Sequence, residues 1–302
     1  MLPLLPLPAA GQDLTVIGTS LQKKVDGALA MMQYSVSPDV TTSSLSISSG
    51  DSDQNALFMT QLGGGFTWDR SFPLYLEGNA AYSRYDPVFV LSGGTETRRV
   101  KAQWNCLVGT VGVGWDFPVA TELVLRPIAN FTLGHVESDL SVAGRVLEGE
   151  TGQEVEFLKQ GRLNSVGYGG SLMLDYEHHR EMHEVDVEVR LTEIYMKNFG
   201  DTSEAVQGSA WADSVGLWAR WRAPTGLRSL DRPVRYVLEY AFTHYFGPDG
   251  DMLGFNNLNS VGAGLELDTS VFERWATRWR LIGRYRFGAN VSGYGISLGI
   301  SF

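Results

Sequence analysis

The sequence predicts an all-β fold, a transmembrane antiparallel up-and-down β-barrel of about 12 strands. Three observations predict it. Segments of strand length alternate apolar and polar residues. The connections between them alternate short and long. No apolar run reaches the roughly 20 residues that a membrane helix needs. With helical spanning excluded, a closed barrel is the other structure that satisfies its backbone inside lipid.

The last strand is the most legible. Tyr294, Ile296, Leu298, Ile300 and Phe302 point one way, and Gly293, Gly295, Ser297, Gly299 and Ser301 point the other. A strand period of two gives one face to lipid and one to the lumen. In the strand before it, Trp279, Leu281, Gly283, Tyr285 and Phe287 alternate with Arg278, Arg280, Ile282, Arg284 and Arg286. Arginine in lipid costs about 2–4 kcal/mol near the midplane, so this arginine face belongs to a wet lumen. Val185, Val187, Val189 and Leu191 alternate with Glu184, Asp186, Glu188 and Arg190. Val215, Leu217, Ala219 and Trp221 alternate with Gly216, Trp218, Arg220 and Arg222. Leu107, Gly109, Val111, Val113 and Trp115 form another outward face, as do Val261, Ala263, Leu265 and Leu267. Strands near 57–68, 74–85, 123–135, 165–175 and 234–246 complete the confident set, and the weaker region 29–48 supplies the twelfth.

Tight connections are expected at 69–73, 116–121 and 175–183, and long polar ones at 86–99, 137–163 and 200–208. Barrels of this kind place short turns in the periplasm and long loops outside. Trp68-Asp69, Trp115-Asp116, Leu174-Asp175 and Leu267-Asp268 repeat one signature. A large apolar residue ends the strand and an Asp starts the turn. Trp68 and Trp115 are then placed in the inner aromatic girdle.

By parity, Glu184, Asp186, Glu188, Arg190, Arg220, Arg222, Arg235, Glu239, Glu266, Arg280, Arg284 and Arg286 face the lumen. Acids concentrate near 183–191 and bases near 278–286. They either pair across the pore, grip an N-terminal segment, or line a water-filled channel. In each case they are structural or permeation residues.

Three domains are expected. Residues 1–10 look like a truncated signal peptide, with a short apolar stretch before small residues and no basic start. Residues 11–30 form an N-terminal helix or lead. Leu14, Ile17, Leu21, Val25 and Ala28 recur at helical spacing, and Asp13 is placed to cap. The helix is expected in or against the pore, with a flexible periplasmic lead as the alternative. Residues 31–302 form the barrel. The net charge of −10 argues against nucleic acid, which wants a basic face. Cys106 is the single cysteine and reads as a small buried strand residue.

The terminal strand, ending Leu298-Gly299-Ile300-Ser301-Phe302, resembles the last strand of autotransporter β-barrel domains. Strand 123–135, with Leu125, Pro127, Ala129 and Phe131 outward, resembles their proline-containing strand. The resemblance covers about residues 12–302 and is nearest to the solitary autotransporter-like barrels, which carry no passenger. Residues 12–30 contain no Asn, so autocleavage at paired asparagines does not carry over. The resemblance implies the bacterial outer membrane as location. It implies a scaffold or plugged-pore role, and reading of the last strand (Tyr294, Ile296, Leu298, Ile300, Phe302) by the barrel-assembly machinery. Outer-membrane lipids and lipopolysaccharide are the other expected partners, with a monomeric state and no cofactor.

Enzymatic chemistry is the alternative. A lipase needs a serine within reach of a histidine, and His135 and Ser138 are the nearest pair. His178, His179 and His183 with Glu177 and Glu181 are rich in metal-ligand types, but read as a short solvated turn. Asp201, Glu204, Asp249 and Asp251 are rim acids of the kind an outer-membrane protease uses. A rim hydrolase and an open small-solute channel are the competing functions, and no catalytic or metal residue is assigned.

Overall fold

The computed structural model describes residues 15–16, 29, 32–36, 44–47, 55–93, 96–101, 103–138, 162–200, 208–248, 255–269, 277–289 and 291–301. Twelve strands form one continuous antiparallel path. They are β1 (Ser44–Ile47), β2 (Asn55–Thr67), β3 (Leu74–Gly93), β4 (Trp104–Trp115), β5 (Leu123–Ser138), β6 (Arg162–His179), β7 (Glu184–Phe199), β8 (Ser209–Ser229), β9 (Arg232–Phe246), β10 (Asn257–Asp268), β11 (Arg278–Gly288) and β12 (Val291–Ser301). Each pairs with its neighbour in sequence order, and β12 lies against β1, so the two ends of the sheet meet.

The alternation read from sequence becomes a two-faced wall. In β4, Cys106, Val108 and Thr110 are buried while Leu107, Val111 and Val113 are exposed. In β12, Tyr294, Ile296 and Leu298 are each more than 70% exposed. A soluble protein hides such residues. Here the largest apolar side chains cover the outside, while Glu266, Arg286 and Thr132 are fully buried inside. Trp221 and Tyr236 on the outer face near the short turns meet edge-on at 5.4 Å. Tyr168, Tyr195 and Trp211 form a matching outward row near the long-loop end.

Several expected boundaries move. The long connection at 86–99 is a β-hairpin, because β3 runs to Gly93 and Glu96–Lys101 returns along it. The turn expected at 175–183 shrinks to four residues, since β6 continues to His179. The connection after Trp115 folds as a short strand, Phe117–Ala120, against β5. Its hairpin turn holds Glu122 at φ 66°. Region 29–48 supplies a strand only at Ser44–Ile47. Leu29, Met32 and Gln33 are helical, and a turn follows at Tyr34 and Ser35. Within the helix expected over 11–30, Thr15 and Val16 are instead extended and pair with Ser92 and Leu91. Apart from these and Leu29, that segment and the signal-like residues 1–10 lie outside the described residues. So do Phe302 and the rim acids Asp201, Glu204, Asp249 and Asp251.

Candidate functional site in the lumen

The interior divides into two layers. The outer one, toward the long loops, is apolar. Inward positions of the outer strand halves carry Met59, Trp104, Cys106, Val108, Val136, Leu163, Ile194, Met196, Ala210 and Ala212. They enclose a piece of chain that belongs to no strand. Leu29, Met32, Gln33, Tyr34, Ser35 and Val36 are all buried, and Tyr34 is 2% exposed. The Tyr34 ring lies 4.3 Å from that of Tyr245 and 5.2 Å from that of Phe255. Its hydroxyl donates to the Phe255 carbonyl at 3.2 Å. Asn79 Nδ2 donates to the Ser35 carbonyl at 2.6 Å, and Ser165 Oγ lies 2.9 Å from Met32 Sδ. A buried backbone turn needs such partners for its polar groups. Gly134 makes room for it: a Cβ there would come within 2.5 Å of Met32 Sδ.

The inner layer, toward the short turns, is built from charge. Glu77 on β3 and Arg190 on β7 sit four strands apart and meet in a two-pronged pair at 2.8 and 2.7 Å. Asn130 also donates to Glu77, at 2.8 Å. Arg126 is gripped by Asp116 and by Asp175 at 3.0 Å, and lies 3.9 Å above the Tyr75 ring. Glu184 receives Arg222 at 2.9 Å, Arg278 at 2.7 Å, and Arg235. Asp186 receives Arg220 at 2.8 Å and His179 at 2.9 Å. Glu266 holds Arg222 and Arg280, each at 3.5 Å, and Glu239 holds Arg284 at 2.5 Å. The forked guanidinium suits carboxylates in this two-pronged way.

Of the twelve charged residues expected in the lumen, ten join this layer by direct ion pairs. Glu188 is flanked in the ladder by Asp175 and Trp218, within electrostatic reach of Arg126, Arg190 and Arg220. Arg286 is fully buried further out, opposite Ser260 and Gly293. Among the described residues the layer holds eight carboxylates (Glu77, Asp116, Asp175, Glu184, Asp186, Glu188, Glu239, Glu266) and eight arginines (Arg126, Arg190, Arg220, Arg222, Arg235, Arg278, Arg280, Arg284). Near neutrality makes it a layer of paired charges rather than a ring of one sign.

Sequence reasoning missed Glu77, Asp116, Arg126 and Asp175. Asp116 and Asp175 were expected to start turns, yet both turn inward to Arg126. Parity was the available signal, since Asp175 shares its face with Ser171 and Met173. The histidines expected in one turn separate. His179 Nε2 serves Asp186, while His178 Nδ1 lies 2.8 Å from Glu122 and stacks on His183. His135 Nδ1 lies 2.7 Å from Asn164 Oδ1.

No protein-family model matches this chain, and no curated protein matches it either. Three solved structures are similar. The β domain of the Bordetella autotransporter BrkA is 12% identical, with 86% of this chain and 96% of that one covered at a TM-score of 0.47. The transport unit of the Escherichia coli autotransporter AIDA-I is 15% identical, covering 92% and 99%, also at 0.47. The translocator domain of NalP from Neisseria meningitidis is 12% identical, covering 85% and 88%, at 0.33. A sheet whose ends meet, apolar outside and charged inside, satisfies the demands of a lipid bilayer on its own evidence. The chain folds as a β-barrel of the transmembrane kind, and the solved structures it is similar to here are autotransporter domains.

Proposed function

We propose that this barrel is a membrane-embedded scaffold with a doubly closed lumen, not an open solute channel. The observation that carries the reading is Tyr34, sealed between Tyr245 and Phe255 inside the wall. The paired charges beneath it support the same reading, because an ion crossing there must break bonds that hold strands four apart. Such a scaffold carries out no catalytic step. Its partners are outer-membrane lipid and lipopolysaccharide around the wall, and the assembly machinery that receives the strand of Tyr294, Ile296, Leu298 and Ile300.

Conductance in planar bilayers tests it. The wild-type protein is expected to stay closed. Leu29→Ser with Met32→Ser and Tyr34→Ser loosens the outer layer and is expected to leave conductance low, because the inner layer remains. Adding Glu77→Ala and Arg190→Ala to that variant is expected to open it. A wild-type barrel that conducts steadily, or full opening by the outer substitutions alone, overturns the double closure.

A further inference from the structure

The lipid-facing wall carries a feature that a closed lumen does not explain. A groove of about 1040 Å³ runs over the outside of β4 to β8, lined by Pro127, Tyr168, Leu172, Glu193, Tyr195 and Trp211. Gly170 supplies its floor, since it stands in register between Ala129 and Glu193 and has no side chain. The ring of Tyr195 lies 5.8 Å from Tyr168 and 5.0 Å from Trp211, making a continuous aromatic bank.

Glu193 is exposed and shares the outward face of β7 with Leu191 and Tyr195. An ionised group on the lipid-facing side of a barrel wall is unfavourable. Among the described residues no ion pair reaches it. Lys197, on the same face, is four residues on, roughly 13 Å along an extended strand. Asp213, a second acid, stands opposite Glu193 in register. A carboxylate in low dielectric binds an opposite charge more strongly than in water. Aromatic faces attract ammonium groups as well.

We propose that this groove is a lateral binding site for an amphiphile with an apolar chain and one cationic ammonium head. Glu193 is its counter-ion, and Tyr168, Tyr195 and Trp211 cradle the head. The site is independent of whether the lumen is closed.

Tryptophan quenching tests the proposal on the full chain in a neutral maltoside detergent. The probe is a bromoalkyl-trimethylammonium, and Trp211→Phe isolates the signal of Trp211. Half-quenching is expected at roughly tenfold lower concentration than for a bromoalkyl alcohol or bromoalkyl sulfate of equal length, a ratio worth about 1.4 kcal/mol. Glu193→Gln should erase that preference and Glu193→Asp should keep it, with heat-modifiable gel mobility reporting an intact barrel for both. Equal quenching by all three probes overturns the proposal, as does an unchanged preference in Glu193→Gln. A dimer that shields Trp211 from every probe also overturns it, and assigns the groove to a second copy.

Discussion

The outer and inner halves of the lumen are filled by different means. A segment of chain that belongs to no strand fills the outer half, held by apolar burial, ring contacts and a few hydrogen bonds. The wall's own side chains fill the inner half, held by ion pairs that reach across the pore. Material that is separate from the wall can leave without unmaking the wall. Material that is the wall cannot. The outer filling is therefore separable from barrel stability, and the inner filling is part of it.

The largest test of that contrast is Arg190→Ala. It leaves the Glu77 carboxylate, whose side chain is 2% exposed, without its main partner. Stranding a buried charge costs about 3–5 kcal/mol. The urea unfolding midpoint should fall accordingly. Replacing both partners, Glu77→Leu with Arg190→Met, should cost far less, because no orphan charge remains. Tyr34→Ala should leave the midpoint near the wild-type value. A Tyr34→Ala loss as large as that of Arg190→Ala would erase the distinction between the halves.

The two halves also differed in how far the sequence revealed them. Parity placed Arg220, Arg222, Arg280 and Arg284 inside, because arginine facing lipid is costly and the strand period leaves one other side. The apolar outer layer was harder to read. Cys106, Val108, Ile194 and Met196 are as apolar as their lipid-facing neighbours, so composition does not tell the faces apart there. Only continuing the parity up from the charged half separates them. The segment at Tyr34 was out of reach for a different reason. Its burial depends on Tyr245 and Phe255, more than 200 residues away, and no local pattern encodes such a contact. The helical spacing over 11–30 falls on a stretch that lies almost wholly outside the described residues, while the helical residues Met32 and Gln33 sat inside what read as a weak strand.

Two glycines sharpen the comparison at the next scale. A Cβ at Gly112 would lie 2.5 Å from Glu77 Cγ and 2.6 Å from its Oε1. Gly112→Ala therefore displaces the inner pair, and overpacking of this kind costs about 1–3 kcal/mol. Gly134→Ala presses instead on Ser165 and on Met32, which is part of the removable segment. It should cost less in unfolding. Its effect should show in Cys106, which is 1% exposed in the outer layer and is the chain's single cysteine. Maleimide labelling of Cys106 should accelerate roughly tenfold in Gly134→Ala or Tyr34→Ala, as expected for a local opening easier by about 1.4 kcal/mol. Gly112→Ala should leave the labelling rate unchanged. Acceleration by Gly112→Ala would join the two layers into one unit.

The smallest effect lies below both layers, at the short-turn rim. Glu122 sits in a turn outside the membrane, accepting from His178 at 2.8 Å and from Arg180 at 2.9 Å. The His178 hydrogen bond, with Arg180 assisting, holds its carboxyl below the ordinary 4.5. A carboxyl depressed in the folded state adds stability above its unfolded pKa and loses it as pH falls through the folded value. The wild-type advantage over Glu122→Gln should thus be full at pH 7 and shrink below about pH 4.5. Ion pairs this exposed are screened by salt, so 1 M NaCl should narrow the gap as well. The buried Glu77–Arg190 pair should hold its contribution in the same salt. Equal salt sensitivity of the two would mean that water reaches the inner layer as freely as it reaches the rim.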